Sequence, residues 1–513
     1  MEVGSRYDVA IVGAGKAGAL IARHLRREQP GLSVVLVEQA KRALPKVGES
    51  TVEIASNYLV RRLGLSRYLY ERHLPKNGLR FFFDRSTRDG SLEQLSEIGS
   101  RGFPAIPSFQ IDRAHFEGDL RRMNEADGVT YVQGRVEGLS LGAKKSRFEV
   151  RDDVGGRREM TARWVVDASG RAGIIARKLE LRRPRNHALT AMWGRFEGVA
   201  DLDDYGADAF RARVNHVSRT LSTNHFCYPG YWIWFIPLGA GKTSVGLVIE
   251  RDRWGDRPKT AEMFIGFLEE HAAVKALLSG AARLDYLSYD QLAYGTSQFF
   301  GAGWATVGEA AAFPDPLYSP GSDFIAVAND LTVDLIRREA RGEDVGSRRT
   351  LYDRFMVYRY EATMALYEGL YPCLGSYELY RLKWDLDLAC YYDLWLEPYL
   401  MDQHLDAGWL ENQLKQAPLV LGLLRRFGEL FRRAYAQLHA EGRLDHGNLH
   451  AYDGSFAALA GAGSLGTEDS SRRAVERAAK AFNRARQGVR QLLGEDPGEK
   501  YSLRHFLANR APL

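Results

Sequence analysis

Residues Tyr7 to Gly18 read Y-D-V-A-I-V-G-A-G-K-A-G, and A-L-I-A-R-H-L follows. The first six residues are a short apolar run of strand type, and the residues after Gly18 repeat their apolar positions at helical spacing. Between them, Gly13, Gly15 and Gly18 form G-x-G-x-x-G. At such a turn the missing side chains let backbone N–H groups, that of Ala14 among them, approach a pyrophosphate at the positive end of the helix. A second apolar run, S-V-V-L-V-E, ends at Glu38, 20 residues past Gly18. A carboxylate at that point accepts both ribose hydroxyls of an adenosine. Strand, glycine turn, helix and strand make a βαβ unit of parallel-sheet type, so a bound dinucleotide is expected. Only one such fingerprint occurs, which favours FAD over NAD as the resident cofactor.

Working outward, residues 79–84, 130–138, 147–151 and 163–167 read as strands, and Asp112 to Asn124 has helical character. From about residue 188 to 250, aromatic and β-branched residues alternate, as in an antiparallel sheet. Trp304-Ala-Thr-Val-Gly-Glu-Ala then returns to strand and turn, and the chain beyond about residue 350 is mostly helical in pattern. The expected class is α/β with an α+β insert. A Rossmann-like FAD-binding fold occupies 1–185 and returns at 291–345, an antiparallel substrate sheet occupies 186–290, and a helical region occupies 346–513. A Gly/Ser-rich break, A-G-A-G-S-L-G, interrupts the helical region at 460–466.

Composition narrows the function classes. With 45% hydrophobic and 26% charged residues, the 513-residue chain is of ordinary globular type. The net charge of +5 is small, and arginines are interspersed with acids, so nucleic-acid binding is not expected. Cys227, Cys373 and Cys390 form no C-x-x-C pair, which suits reduced thiols and gives no metal site. No basic leader or long apolar segment is legible, so a cytoplasmic protein without a membrane span is expected.

Other stretches carry a family resemblance. Q-I-D-R-A-H-F with Arg113, V-V-D-A-S-G-R with Asp167 and Gly170, and V-G-E-A-A-A-F-P-D-P-L-Y-S-P-G with Glu309 and Asp315 resemble, in order and type, para-hydroxybenzoate-hydroxylase-like flavoproteins. Within that group, G-E-S-T at Gly48 to Thr51, Lys76 in P-K-N-G-L-R-F and W-I-W-F-I-P at Trp232 to Pro237 resemble the flavin-dependent halogenases, over the chain up to about residue 340. The resemblance implies FAD held by Gly13, Ala14, Gly15, Gly18, Glu38, Glu49, Ser50, Arg113, Asp167, Gly170, Glu309 and Asp315. It implies that reduced FAD and O₂ oxidise chloride or bromide to hypohalous acid, which reaches Lys76 and is delivered to an electron-rich carbon.

Side chains on a strand alternate faces, so Trp232 and Trp234 point to one side and Ile233 and Phe235 to the other. A plain core strand reads the same way; the resemblance makes the tryptophans walls of a passage, with Tyr318 beside the substrate. The family's halide site uses two consecutive N–H groups, at Pro320 and Gly321 here, and proline supplies none. Tryptophan-halogenating members carry a glutamate where this chain has Tyr318, so a phenolic or pyrrolic substrate is expected, free or tethered to a carrier protein. Glu309 replaces the family's usual aspartate and keeps an acceptor for FAD. A separate flavin reductase is expected, because no NAD(P)H fingerprint is present. Tyr358, Tyr360, Tyr367, Tyr371, Tyr391 and Tyr392 read as helix-packing residues or as a pocket lining. Two other functions fit the same motifs: an FAD-dependent aromatic hydroxylase that uses no halide, and a flavin-binding scaffold without chemistry.

Overall fold

Burial of the apolar runs on both faces organises the first half of the chain. In the computed structural model, which describes residues 5–206, 208–455 and 465–513, strand Ser5–Val12 lies at the centre of a mostly parallel sheet. Val34–Glu38 pairs with it in parallel on one side and Arg157–Asp167 on the other. Thr130–Gln133 continues the sheet beyond Val34–Glu38, and Trp304–Thr306 pairs in parallel with Arg157–Asp167. That last pairing brings the chain back to the nucleotide fold after the long insert. The glycine-rich break falls mostly outside the described residues, with only Leu465 and Gly466 inside them.

A second sheet packs its strands antiparallel in the order Leu189–Glu197, Lys242–Glu250, Tyr231–Gly239, Thr223–Tyr228. The sheet is not confined to 186–290. Leu79–Phe83 pairs in parallel with Thr223–Tyr228, Ser96–Gly99 pairs with Leu79–Phe83, and Tyr452–Asp453 joins that edge. Strand pairing is satisfied by any extended chain of matching register, so pattern in one segment does not reveal partners drawn from distant ones. The two faces separate as the period-two spacing requires. Trp232 and Trp234 join the central core with Phe81, Trp193 and Val248, whereas Ile233 and Phe235 join a second cluster with Phe82, Phe226 and Leu247.

The helical region closes over the Trp232 face. Gly321–Ala340 starts at the corner Tyr318–Pro320 and runs for 20 residues. Gly346–Ala365 and Tyr377–Ala389 follow, and the latter continues into a widened helical turn at Cys390–Leu396. Such π-type turns insert a residue and rotate the side chains that follow. Among the described residues no helix is long and apolar enough to cross a membrane.

Candidate active site

The glycine turn is shaped as a dinucleotide cradle. A Cβ on Gly13 would lie 2.4 Å from the Ala168 carbonyl oxygen, and one on Gly18 would lie 1.8 Å from that of Gly13. Neither position admits a side chain. Gly15 meets nothing closer than the Lys46 ammonium at 3.9 Å, so its face is open where a phosphate would sit. The Glu38 carboxylate accepts from the Ala14 N–H at 2.7 Å and the Ala40 N–H at 2.8 Å, which fixes it at the end of its strand facing the turn. These residues fit the adenosine diphosphate half of FAD.

Two cavities lie beyond the turn. The smaller, about 140 Å³, is lined by Lys16, Gly48, Glu49, Ser50, Arg113, Trp232, Trp234, Glu309, Asp315, Ser319 and Gly321 among others. The larger, about 500 Å³, includes Lys76, Tyr318, Pro320, Asp323, Arg359, Tyr367, Tyr391 and Tyr392 in its lining. Of the twelve residues expected to hold the flavin, five, Glu49, Ser50, Arg113, Glu309 and Asp315, converge on the smaller cavity. Asp167 does not line it. Its carboxylate accepts from Ser169 Oγ at 2.6 Å and the Ile175 N–H at 2.7 Å, and so folds the turn that carries Gly170.

The partition between the cavities is made of Ser50, Lys76 and the corner Tyr318–Gly321. The G-E-S-T segment is pinned against strand Ser108–Gln110: the Phe109 N–H donates to Thr51 Oγ1 at 2.8 Å, and the Ile111 N–H donates to the Glu49 carbonyl at 2.6 Å. Lys76, on the strand paired with Ser108–Gln110, donates from Nζ to Ser50 Oγ at 2.7 Å and to the Thr51 carbonyl at 2.8 Å. Ser50 Oγ is also 2.9 Å from Thr223 Oγ1. The lysine thus lines one cavity while its amine bonds to a hydroxyl that lines the other. Burial pulls the Lys76 ammonium down from 10.5 to about 7, opposed by Glu53 and Asp323. At neutral pH a large share of it is free amine, the nucleophilic form.

Across the partition, Tyr318 and Ser319 both adopt left-handed backbone, φ 66° and 60°. Two successive non-glycine residues in that region cost about 1–2 kcal/mol each, and the corner persists because its side chains are held. Tyr318 Oη lies 2.7 Å from Tyr380 Oη and donates to Asp387 at 2.8 Å, and Asp387 pairs with Lys383. The turn sends Tyr318 and Pro320 to the larger cavity and Ser319 and Gly321 to the smaller.

Trp232 and Trp234 line the smaller cavity and not the larger. Trp232 Nε1 donates to Tyr371 Oη at 3.0 Å, and that hydroxyl donates to Asp315 at 3.0 Å. His187 Nε2 lies 2.6 Å from the same carboxylate. Trp234 Nε1 donates to Ser244 Oγ at 3.2 Å. Glu49 is buried with them, and that burial raises its carboxyl to about 8. Of the tail tyrosines, Tyr367, Tyr391 and Tyr392 line the larger cavity, the last two from the widened turn.

Two charged residues escaped the sequence reading. Lys16, in a variable position of the glycine motif, is buried in the smaller cavity and donates to the Gly48 carbonyl at 2.7 Å and Ser322 Oγ at 2.6 Å. Burial, aided by Arg113, lowers its ammonium from 10.5 to about 7. Arg359 is buried on the larger cavity. Each is a charge on the apolar stripe of its helix, Lys16 beside Ala19 and Leu20 and Arg359 beside Phe355 and Met356. That misplacement is the signal that could have found them.

This geometry defines an FAD-binding oxidoreductase. Residues 6–224 match the FAD binding domain family. The chain is 28% identical over 441 residues to "Flavin-dependent halogenase chlA" of Dictyostelium discoideum, an alignment covering 78% of this chain and 72% of that protein. It is 26% identical over 391 residues to the "1H-pyrrole-2-carbonyl-[peptidyl-carrier protein] brominase" of Pseudoalteromonas luteoviolacea, covering 73% of this chain and 88% of that protein. In fold it matches the crystal structure of halogenase PltM in complex with phloroglucinol and FAD, with a TM-score of 0.70 at 17% identity, over 93% of this chain and 99% of that one. The chain is an FAD-dependent enzyme related to the flavin-dependent halogenases.

Proposed function

We propose that the protein is a halogenase that uses reduced FAD, O₂ and chloride or bromide, and that Lys76 delivers the halogen to an electron-rich aromatic ring in the larger cavity. The observation that carries this reading is the Lys76–Ser50 link through the partition, which ties a buried amine on the larger cavity to a hydroxyl on the smaller. FAD, when bound and reduced, supplies the oxidising chemistry with O₂. Gly13, Ala14, Gly15, Gly18 and Glu38 would hold its adenosine half, and Glu49, Ser50, Arg113, Glu309 and Asp315 would surround its ring, with Asp167 and Gly170 shaping the turn nearby. The partition keeps the substrate ring off the flavin, so an oxidised halide must pass Ser50 and Lys76 to reach it. The lowered Lys76 suits this task, since a neutral amine can accept halogen and an ammonium can hydrogen-bond hypohalous acid.

The halide itself would rest at the start of helix Gly321–Ala340. Pro320 offers no N–H, and the Gly321 N–H and the Lys16 ammonium on Ser322 supply the positive field instead. The relatives named for a pyrrolyl thioester and for phloroglucinol complexation support an electron-rich pyrrole or phenol as substrate. A partner reductase would supply the reduced FAD. One observation favours a second reading: the missing Pro320 donor suits a hydroxylase that binds no halide. The test incubates the enzyme with reduced FAD, O₂ and candidate phenols or pyrroles, with and without bromide, and reads product mass. Bromide-dependent halogenated product is expected; hydroxylated product alone in the presence of bromide rejects halogenation.

A further inference from the structure

Arg359 is the anomaly of the larger cavity. It projects from helix Gly346–Ala365, is 4% exposed and lines the cavity wall. Among the described residues its guanidinium makes no ion pair and no hydrogen bond, and Nε is without an acceptor. Rings flank it: its guanidinium carbon lies 5.7 Å from the Phe324 ring centroid and 5.4 Å from that of Trp395. Burial lowers its proton affinity below the ordinary arginine value, against the field of Asp323. A buried cation without a hydrogen-bonded counter-charge is unfavourable, and a ligand anion that pairs with it relieves that penalty.

The acids that face the same cavity are otherwise engaged. Asp323 accepts from the Ala55 N–H at 2.9 Å, Glu53 accepts from Tyr392 Oη at 2.7 Å, and Asp387 is paired with Lys383. The other cation, Lys76, is committed to Ser50 and Thr51. The rest of the lining is mainly apolar and aromatic, including Val52, Leu79, Leu366, Trp384 and Leu388. Such a cavity suits a flat ring bearing one anionic group, and a guanidinium held between two rings presents its planar fork to a carboxylate.

We infer that the substrate is a free aromatic acid, whose carboxylate pairs with Arg359 while its ring is presented to Lys76. This rests on the halogenase reading for the ring chemistry and decides between its two substrate forms. A carrier-bound thioester has no carboxylate and would leave Arg359 uncompensated. Arg359 is accordingly a specificity-determining residue that never touches the transferred halogen.

The experiment measures binding alone, so it is independent of whether the chemistry is halogenation. FAD-loaded protein is titrated, without halide or O₂, with 4-hydroxybenzoate, 2,4-dihydroxybenzoate and pyrrole-2-carboxylate and with the primary amide of each, followed by tryptophan fluorescence and calorimetry. For at least one pair the acid is expected to bind tenfold or more tightly than its amide. Arg359→Gln should erase that preference while leaving amide affinity within about twofold, and Arg359→Lys should retain part of it. The wild-type comparison needs no variant to fold. Equal affinity for every acid and its amide, no binding of any acid, or a preference that survives in Arg359→Gln overturns the inference. Acid preference in an enzyme that only hydroxylates would retain the anchor and reject halogenation alone.

Discussion

Replacing Lys76 by methionine is expected to stabilise the protein at and below neutral pH, because the fold tolerates that side chain poorly. Burial takes the ammonium from 10.5 to about 7. At somewhat more than 1 kcal/mol per pH unit, the gap amounts to about 5 kcal/mol of native-state penalty. The folded value lies below the unfolded one, so between them the unfolded chain holds the extra proton and stability rises with pH. The penalty is therefore full below about 7 and gone above 10.5. Methionine keeps the length of the stem but leaves Ser50 Oγ and the Thr51 carbonyl without their donor, a loss of about 1–3 kcal/mol. The variant should be about 2–4 kcal/mol more stable near pH 6.5, with the advantage shrinking as pH rises and reversing between about pH 8 and 10. Parallel urea unfolding of both proteins by tryptophan fluorescence, near pH 6.5, 8 and 9.5, reads that difference. A difference that does not change with pH, or a variant less stable near pH 6.5, refutes the reasoning.

Three further outcomes are expected. Gly18→Ala places a Cβ 1.8 Å from the Gly13 carbonyl oxygen, so the purified variant should lose FAD, read as the ratio of flavin to protein absorbance; full retention would contradict the cradle. Lys16→Met removes a cation from the smaller cavity and should make the midpoint potential of bound FAD more negative. That shift should be larger below pH 7, where the ammonium is charged, than above it, and spectroelectrochemical titration would expose an unchanged potential. Tyr318→Phe keeps the aromatic wall but removes the hydroxyl that ties Tyr380 to Asp387; a loss of about 1–3 kcal/mol of stability is expected from urea midpoints, and an unaltered midpoint would count against a corner held by that network.

What was legible in the sequence follows from how local each constraint is. The glycine turn is dictated by backbone contacts within a few residues, so Gly13, Gly18 and Glu38 could be placed from spacing alone. The opposite facing of Trp232 and Ile233 follows from strand period and holds in the structure. The partition could not be read in the same way. It depends on Ser50 meeting Thr223 and Lys76 across 173 and 26 residues of chain, and on a strained corner at Tyr318 and Ser319. Tyr391 and Tyr392 reach the larger cavity through a widened helical turn, which no 3.6-residue periodicity anticipates. Lys16 and Arg359 occupy no fixed position of a motif, and only their place as charges on the apolar stripe of a helix marks them in the sequence.

The most direct measurement separates oxidation of halide from its delivery. Wild type and Lys76→Ala are supplied with reduced FAD, O₂, bromide and an aromatic acid, with a small β-diketone present to trap free hypobromous acid, and both brominated products are quantified by mass. Wild type should brominate the acid, whereas Lys76→Ala should brominate only the trap. Bromination of the acid by Lys76→Ala at the wild-type rate would contradict delivery by this lysine.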